Sequence, residues 1–252
     1  MAPVTVAITV AIDEKRYSGR AGAGPVTALR GLHARIGPSE FCVVTGPSGC
    51  GKTTLLNIIA GLDRDFAGTL GFAASDHDAP RIGYVFQSPR LLPWRTVREN
   101  VALVQRHRAA PAALESLLAD VGVADMADAY PAQLSGGMAR RVALARAFAI
   151  APDLLLMDEP FLSLDAAAAD RLRSLLLRLV STRPATVLFV THDLAEAVAL
   201  ADRILVLSPA PGRVVAELPI ALARTERHDP DRLSALRAEL ARHSIEPPIH
   251  RK

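Results

Sequence analysis

No stretch of this chain approaches the roughly 18 consecutive apolar residues that a membrane-spanning helix needs. Ala185 to Val190 and Ile204 to Leu207 are short enough to be buried strands, so the chain is not expected to cross a bilayer. Met1 to Val10 lacks a basic segment followed by a long apolar core, which leaves no secretory signal and points to the cytoplasm. Cysteine is scarce: Cys42 and Cys50 form neither a disulfide pattern nor a metal-ligand pattern, and a reducing compartment suits them. Aromatics make up 4% and formal net charge is only +3, with arginines spread along helical faces and not clustered with aromatics. No nucleic-acid partner is expected from such a balance. Disorder is excluded too, because half of the 252 residues are hydrophobic, enough for one full core with a small appended lobe.

What the sequence does have is a phosphate loop. Val43-Val44-Thr45-Gly46-Pro47-Ser48-Gly49-Cys50-Gly51-Lys52-Thr53-Thr54 fits G-x-x-x-x-G-K-[ST], with an apolar run before it and Leu55-Leu56-Asn57-Ile58-Ile59-Ala60 after it. Strand, turn and helix thus follow in the order the mechanism requires. Glycines let successive N–H groups turn inward toward a phosphate chain, and the helix opening at Gly51 adds its positive end. Lys52 is placed to reach the outer phosphates and Thr53 to hold magnesium. The loop alone leaves kinases, GTPases and transport ATPases open.

The remaining pattern predicts an α/β fold. Val4 to Ile12 and Thr27 to Ile36 read as strands, with Tyr17 in a polar, Gly-rich link between them. Phe41 to Thr45 feeds the phosphate loop, and the helix from Thr53 ends at Gly61. Short strands are expected at Gly68 to Phe72 and Arg81 to Phe86, around the turn-rich Ala74 to Pro80. From Gln87 the chain reads as helical: a capping box at Thr96–Glu99, a helix from Pro111 whose Leu114, Leu117, Leu118 and Val121 share one face, and another from Gly136 to Ile150 with Ser135 as cap. Strand–helix units resume from Leu154 to Leu207, implying a mostly parallel sheet into which the helical lobe is inserted. Arg213 to Leu218 reads as a last hairpin strand. The expected division is a domain over 1–225, with the lobe at about 88–150, and a tail over 226–252 with an amphipathic helix through Leu233, Leu236 and Leu240.

Two further sites carry chemistry. Asp158-Glu159 ends the continuous apolar run Leu154 to Met157, so both carboxylates emerge at the carboxyl edge of the sheet, where such folds bind ligands. Nucleotide hydrolysis needs one acid for magnesium and another to orient and deprotonate water, roles assigned to Asp158 and Glu159 respectively. Leu134-Ser135-Gly136-Gly137-Met138 sets a hydroxyl and two glycines at a helix start, a second anion-binding pole or an ordinary serine cap. One nucleotide cannot easily use both poles of one small chain unless the second comes from another subunit.

In order and spacing these motifs resemble the ATP-binding subunit of ATP-binding cassette (ABC) transporters, over nearly the whole chain. Gly46 to Thr54 resembles a Walker A loop, Gln87 a Q-loop, Leu134 to Met138 the signature, Leu154 to Glu159 a Walker B, Ser163-Leu164-Asp165 a D-loop and His192 a switch histidine. The phosphate loop, Gln87 to Trp94, the methionine of the signature and Leu207-Ser208-Pro209 together resemble the nitrate/sulfonate/taurine importer group. The resemblance implies a P-loop core with an N-terminal antiparallel portion. It also implies a head-to-tail homodimer sandwiching two ATP molecules between Gly46, Pro47, Ser48, Gly49, Cys50, Gly51, Lys52, Thr53 and Thr54 of one copy and Ser135, Gly136 and Gly137 of the other, with Asp165 nearby. Tyr17 would stack on adenine, Gln87 would sense magnesium and the attacking water, and His192 would meet the γ-phosphate. Lys52, Gln87, Glu159 and His192 form the implied catalytic set, and Thr53, Gln87 and Asp158 the magnesium set. The implied partners are integral-membrane permease subunits and, through them, a periplasmic or lipid-anchored substrate-binding protein, with the chain peripheral on the inner face of the cell membrane. A soluble ABC ATPase acting on nucleic acid or ribosomes is the alternative; a P-loop small-molecule kinase leaves the signature and His192 unexplained. Trp94 either packs within the helical lobe or lines the groove that receives a permease helix. Four departures from the family pattern stand out: Met138, Ala139-Arg140, Leu162-Ser163, and Ser39 where a glycine is usual.

Overall fold

The computed structural model describes residues 5–19, 24–73, 79–105 and 111–222. The expected turn at Ala74 to Pro80 falls largely outside them, and the expected tail helix falls wholly outside. The strands are β1 (Ala7–Tyr17), β2 (Val26–Ile36), β3 (Phe41–Thr45), β4 (Ala67–Ala73), β5 (Ile82–Val85), β6 (Leu154–Asp158), β7 (Thr186–Val190), β8 (Arg203–Leu207) and β9 (Val214–Pro219). The helices are α1 (Lys52–Ile59), α2 (Val97–Ala102), α3 (Pro111–Asp120), α4 (Gly136–Phe148), α5 (Ala166–Thr182) and α6 (Leu194–Leu200). They fall into two compact units, Met1–Val6 with Ala74–Thr186, and Ala7–Ala73 with Val187–Lys252.

In the second of these units, β1 pairs antiparallel with β2 on one side and β4 on the other. β3 lies parallel between β7 and β8, and β9 returns antiparallel on β8. All five residues of β3 and of β7 are buried, which explains why both sequences are continuous apolar runs without alternation. Helix α1 closes where Gly61 takes φ 70°, with Gly61 N–H donating to Ile58 O (3.0 Å) and Leu62 N–H to Asn57 O (2.9 Å), so the last turn's carbonyls are satisfied.

In the other unit β5 and β6 are parallel, and Asp153 at the foot of β6 is fully buried against Arg81 (Oδ1 to Nη2 2.7 Å), whose main-chain N–H it also accepts. Helix α4 packs on β5, α2, α3 and α5. The 87–150 region is less helical than its sequence suggests. Between Gln87 and Thr96 the chain runs through a left-handed residue at Arg90 (φ 46°) and a turn closed by Arg95 N–H on Leu92 O (3.1 Å) before the Thr96–Glu99 capping box starts α2, and short 3₁₀ turns at Ala124–Met126 and Pro131–Gln133 separate α3 from α4. Helix α3 does bury Leu114, Leu117 and Leu118, with Val121 buried just past its end, and the chain turns at Gly122 (φ 70°). The first strand is also longer than its sequence suggests, and Tyr17 is its last residue, not part of a link.

Candidate functional site

The phosphate loop leaves β3 and turns through Gly46 (φ 154°), Gly49 (φ 77°) and Gly51 (φ 99°) into α1. A Cβ on Gly46 would stand 2.9 Å from Leu207 O and 3.0 Å from Cys50 Sγ; one on Gly51 would stand 2.5 Å from Leu29 Cδ2 and 3.0 Å from Ala28 O. The loop is therefore braced from behind by β2 and the end of β8. A third support comes from the β8–β9 turn, where Gly212 N–H donates to Ala28 O (2.9 Å) and a Cβ on Gly212 would lie 2.0 Å from Cys50 O. Sequence reasoning read this turn only as a connection, because nothing local links position 212 to position 50.

Lys52 is only 7% exposed, and its ammonium donates to Gly46 O (2.8 Å) and Pro47 O (3.0 Å). Among the described residues it has no carboxylate partner. A buried cation held by two carbonyls and the Cys50 sulfur (3.8 Å), beneath a curl of main-chain N–H groups at a helix start, is the donor chemistry that a polyphosphate satisfies. Burial of the Cys50 thiol raises its pKa, outweighing the pull of the neighbouring Lys52 charge, so the loop's cysteine stays a neutral packing group.

In the same unit, Tyr17 is 41% exposed, and its hydroxyl lies 3.0 Å from Asp63 Oδ2 and 3.2 Å from Thr54 Oγ1. Thr53 and His192 are exposed. His192 follows β7 in a turn held on both sides: Thr191 donates to Glu196 Oε2 (2.6 Å), and Asp193 caps α6 through Ala195 N–H (2.6 Å). The structure thus gathers the Walker A loop, Tyr17 and His192 in one unit.

Gln87, Ser135, Gly136, Gly137, Asp158, Glu159 and Asp165 belong to the other unit. Asp158 is 6% exposed at the end of β6, and the chain then turns at Glu159 in a left-handed conformation (φ 44°) unusual for a residue with a side chain, next to Pro160. Ser135 caps α4 by accepting from Met138 N–H (3.2 Å), while Gly136 and Gly137 would meet nothing within 4 Å if given a Cβ. Asp165 caps α5 by accepting from Ala168 N–H (2.8 Å). Ser135, Gly137, Ser163, Asp165 and Arg171 line one cleft of about 570 Å³. Gln87 is exposed, and its carbonyl accepts from Arg140 (3.0 Å), which also donates to Pro160 O (3.0 Å) and Leu162 O. Arg140, noted in the sequence only as a departure, thereby ties the Q-loop to the segment after Walker B; its spacing from those carbonyls, 53 and 22 residues, left no local signal.

Asn100, fully buried, is likewise invisible to pattern reading. Its side chain accepts from Leu92 N–H (2.8 Å) and donates to Leu92 O, Arg95 O and Thr96 O (3.2, 3.0 and 2.9 Å), fixing the loop that carries Trp94. Trp94 is 68% exposed, so the expectation of packing inside the lobe does not hold.

For magnesium the donor chemistry fits. Asp158 offers a carboxylate, Thr53 a hydroxyl and Gln87 an amide oxygen, the hard donors that magnesium takes one or two at a time beside phosphate and water. Among the described residues no cluster of three or more His, Cys, Asp or Glu could hold a metal unaided. No helix among the described residues is long and apolar enough to cross a membrane.

A family model described as ABC transporter matches residues 29–162, and the chain belongs to that family: it is an ATP-hydrolysing cassette. It is 45% identical over 240 residues to the aliphatic sulfonates import ATP-binding protein SsuB 2 of Burkholderia lata, covering 94% of this chain and 85% of that protein. It is 44% identical over 228 residues to SsuB 1 of Pseudomonas aeruginosa, covering 87% and 92%. Among solved structures it is similar to the ATP-binding cassette MJ0796 in a dimeric post-hydrolysis state bound to ADP and Pi, with TM-score 0.72 and 31% identity over 86% of this chain and 100% of that one.

Proposed function

We propose that this chain powers uptake of a small anion of the sulfonate, taurine or nitrate type through a separate integral-membrane permease, as a homodimer on the inner face of the cell membrane. The observation that carries the nucleotide part is Lys52, a buried cation in a braced glycine loop with no carboxylate partner among the described residues. The substrate class is supported by the sulfonate import proteins to which the chain is similar over most of its length.

In the proposed cycle the loop N–H groups and Lys52 hold the β- and γ-phosphates, and Tyr17 stacks on the base. Ser135, Gly136 and Gly137 approach the same phosphates from the partner copy. Magnesium, when bound, would neutralise developing charge on the phosphates; Thr53, Asp158 and Gln87 would supply its protein oxygens. Glu159 orients and deprotonates water, and His192 donates toward the γ-phosphate. Catalysis is then chiefly positioning and charge stabilisation. Closure on ATP and opening after hydrolysis drive the permease, whose cytoplasmic segment docks on the loop that exposes Trp94, with a substrate-binding protein delivering cargo on the far side.

Purified Glu159→Gln should hydrolyse ATP on the order of 10²–10⁴-fold more slowly while still binding it; a wild-type rate would overturn the role of Glu159. A strain lacking the gene should fail to grow on an aliphatic sulfonate as sole sulfur source, and unimpaired growth together with normal uptake of taurine and nitrate would overturn the substrate class.

A further inference from the structure

Behind the ring of Tyr17 lies a polar network that phosphate chemistry does not use. Lys15 is 3% exposed on β1, and its ammonium donates to Asp63 Oδ1 (2.8 Å) and Asp65 O (2.6 Å). The same ammonium sits 4.6 Å from the centroid of the Tyr17 ring. Asp63 uses its other oxygen, Oδ2, to accept from the Tyr17 hydroxyl (3.0 Å), which is also hydrogen-bonded to Thr54 Oγ1 (3.2 Å). Asp63 is itself fixed, because its N–H donates to Asn57 O (3.1 Å) just past the closing turn of α1. A lysine this buried would be costly without partners, and a tyrosine at an exposed strand end has no packing reason to hold one orientation. Together the contacts hold the ring at both ends: the hydroxyl is tethered to the two ends of α1, and one face is covered by a cation, which leaves stacking to the other.

We infer that Lys15 and Asp63 are positioning residues for nucleotide binding: through the Tyr17 hydroxyl and ring face they set the plane on which a purine base stacks, and through Thr54 they fix that plane relative to the phosphate loop. The inference rests on the stacking role proposed above for Tyr17. Burial by itself would raise the Asp63 pKa, yet the hydrogen bonds from Lys15 and Tyr17 outweigh it and hold the carboxyl below its usual range, so the network is ionised at neutral pH.

The test compares binding of ATP with binding of inorganic tripolyphosphate, which has the phosphates and no base, by calorimetry on the full chain. Asp63→Asn and Tyr17→Phe should each weaken ATP binding about 3- to 10-fold, the range for one lost hydrogen bond, and leave tripolyphosphate unaffected. The double variant should lose less than the product of the two single losses, because both changes strike the contact between Asp63 and the Tyr17 hydroxyl. Tyr17→Ala should cost ATP roughly tenfold or more. Should Tyr17→Ala bind ATP as the wild type does, the stacking role itself fails. With Tyr17→Ala weakened and both Tyr17→Phe and Asp63→Asn unchanged, stacking survives and the positioning role is overturned. Equal losses for ATP and tripolyphosphate would make Asp63 a support of the phosphate loop and also overturn it. Tyr17→Phe keeps the ring and the fold, so the inference stays decidable even if Asp63→Asn does not fold.

Discussion

In the phosphate loop at Gly46 and Gly51, and in the turn behind it at Gly212, an added Cβ would strike main chain or packed side chain at 2.9, 2.5 and 2.0 Å, whereas Gly136 and Gly137 would meet nothing within 4 Å. The first set also takes positive φ at Gly46, Gly49 and Gly51; the second sits at the start of an ordinary helix. Glycine in the phosphate loop is thus demanded by the chain's own packing and backbone. Glycine in the signature is demanded by neither, and helix propensity opposes it by up to about 1 kcal/mol per residue. The open space there agrees with the proposed closing of a partner's nucleotide on it.

That contrast is sharpest in function at Gly137. Gly137→Ala should leave the melting temperature unchanged or slightly raised while ATP hydrolysis falls on the order of 10²-fold, the cost of keeping reacting groups about an ångström out of place. Full activity together with normal stability would dissolve the distinction between the loops. Next in size is Lys52→Ala, for which calorimetry should show about 1.5–3 kcal/mol less binding energy for both ATP and tripolyphosphate, since its contact is to phosphate. Gly212→Ala should act in the opposite sense to Gly137→Ala, costing about 1–3 kcal/mol in denaturant unfolding because Cys50 O must move, with weaker nucleotide binding as the loop shifts. The smallest effect is expected at Ser39, which takes φ 58°, a left-handed conformation that favours glycine. Ser39→Gly should stabilise by up to about 1 kcal/mol in the same measurement without changing turnover.

The features that were readable in advance depend on neighbours in sequence. The strand–loop–helix at 41–59, the capping box at Thr96, the stops at Gly61 and Gly122 and the buried run Leu154–Met157 each carry their own local reason. What escaped reading depends on distance. Residues 13–17 read as too polar for a strand because the burial of Lys15 is made tolerable by Asp63 and Asp65, 48 and 50 positions away. The segment 87–96 looked helical because the side chain of Asn100, which supplies hydrogen bonds in place of a helical ladder, cannot be assigned partners from its spacing. The roles of Gly212 and Arg140 are set by approaches of main chain from far along the sequence.

Asn100 also has a bearing on how such a chain changes over generations. Its four hydrogen bonds all go to main-chain atoms, so the path of residues 92–96 is held whatever side chains point outward from it. Trp94 and its neighbours are therefore free to be exchanged one at a time without refolding the lobe. Under the docking proposed above, a duplicated copy of this gene could in that way be re-matched to a different membrane partner by substitutions at the tip alone, while the buried amide and the nucleotide machinery stay as they are.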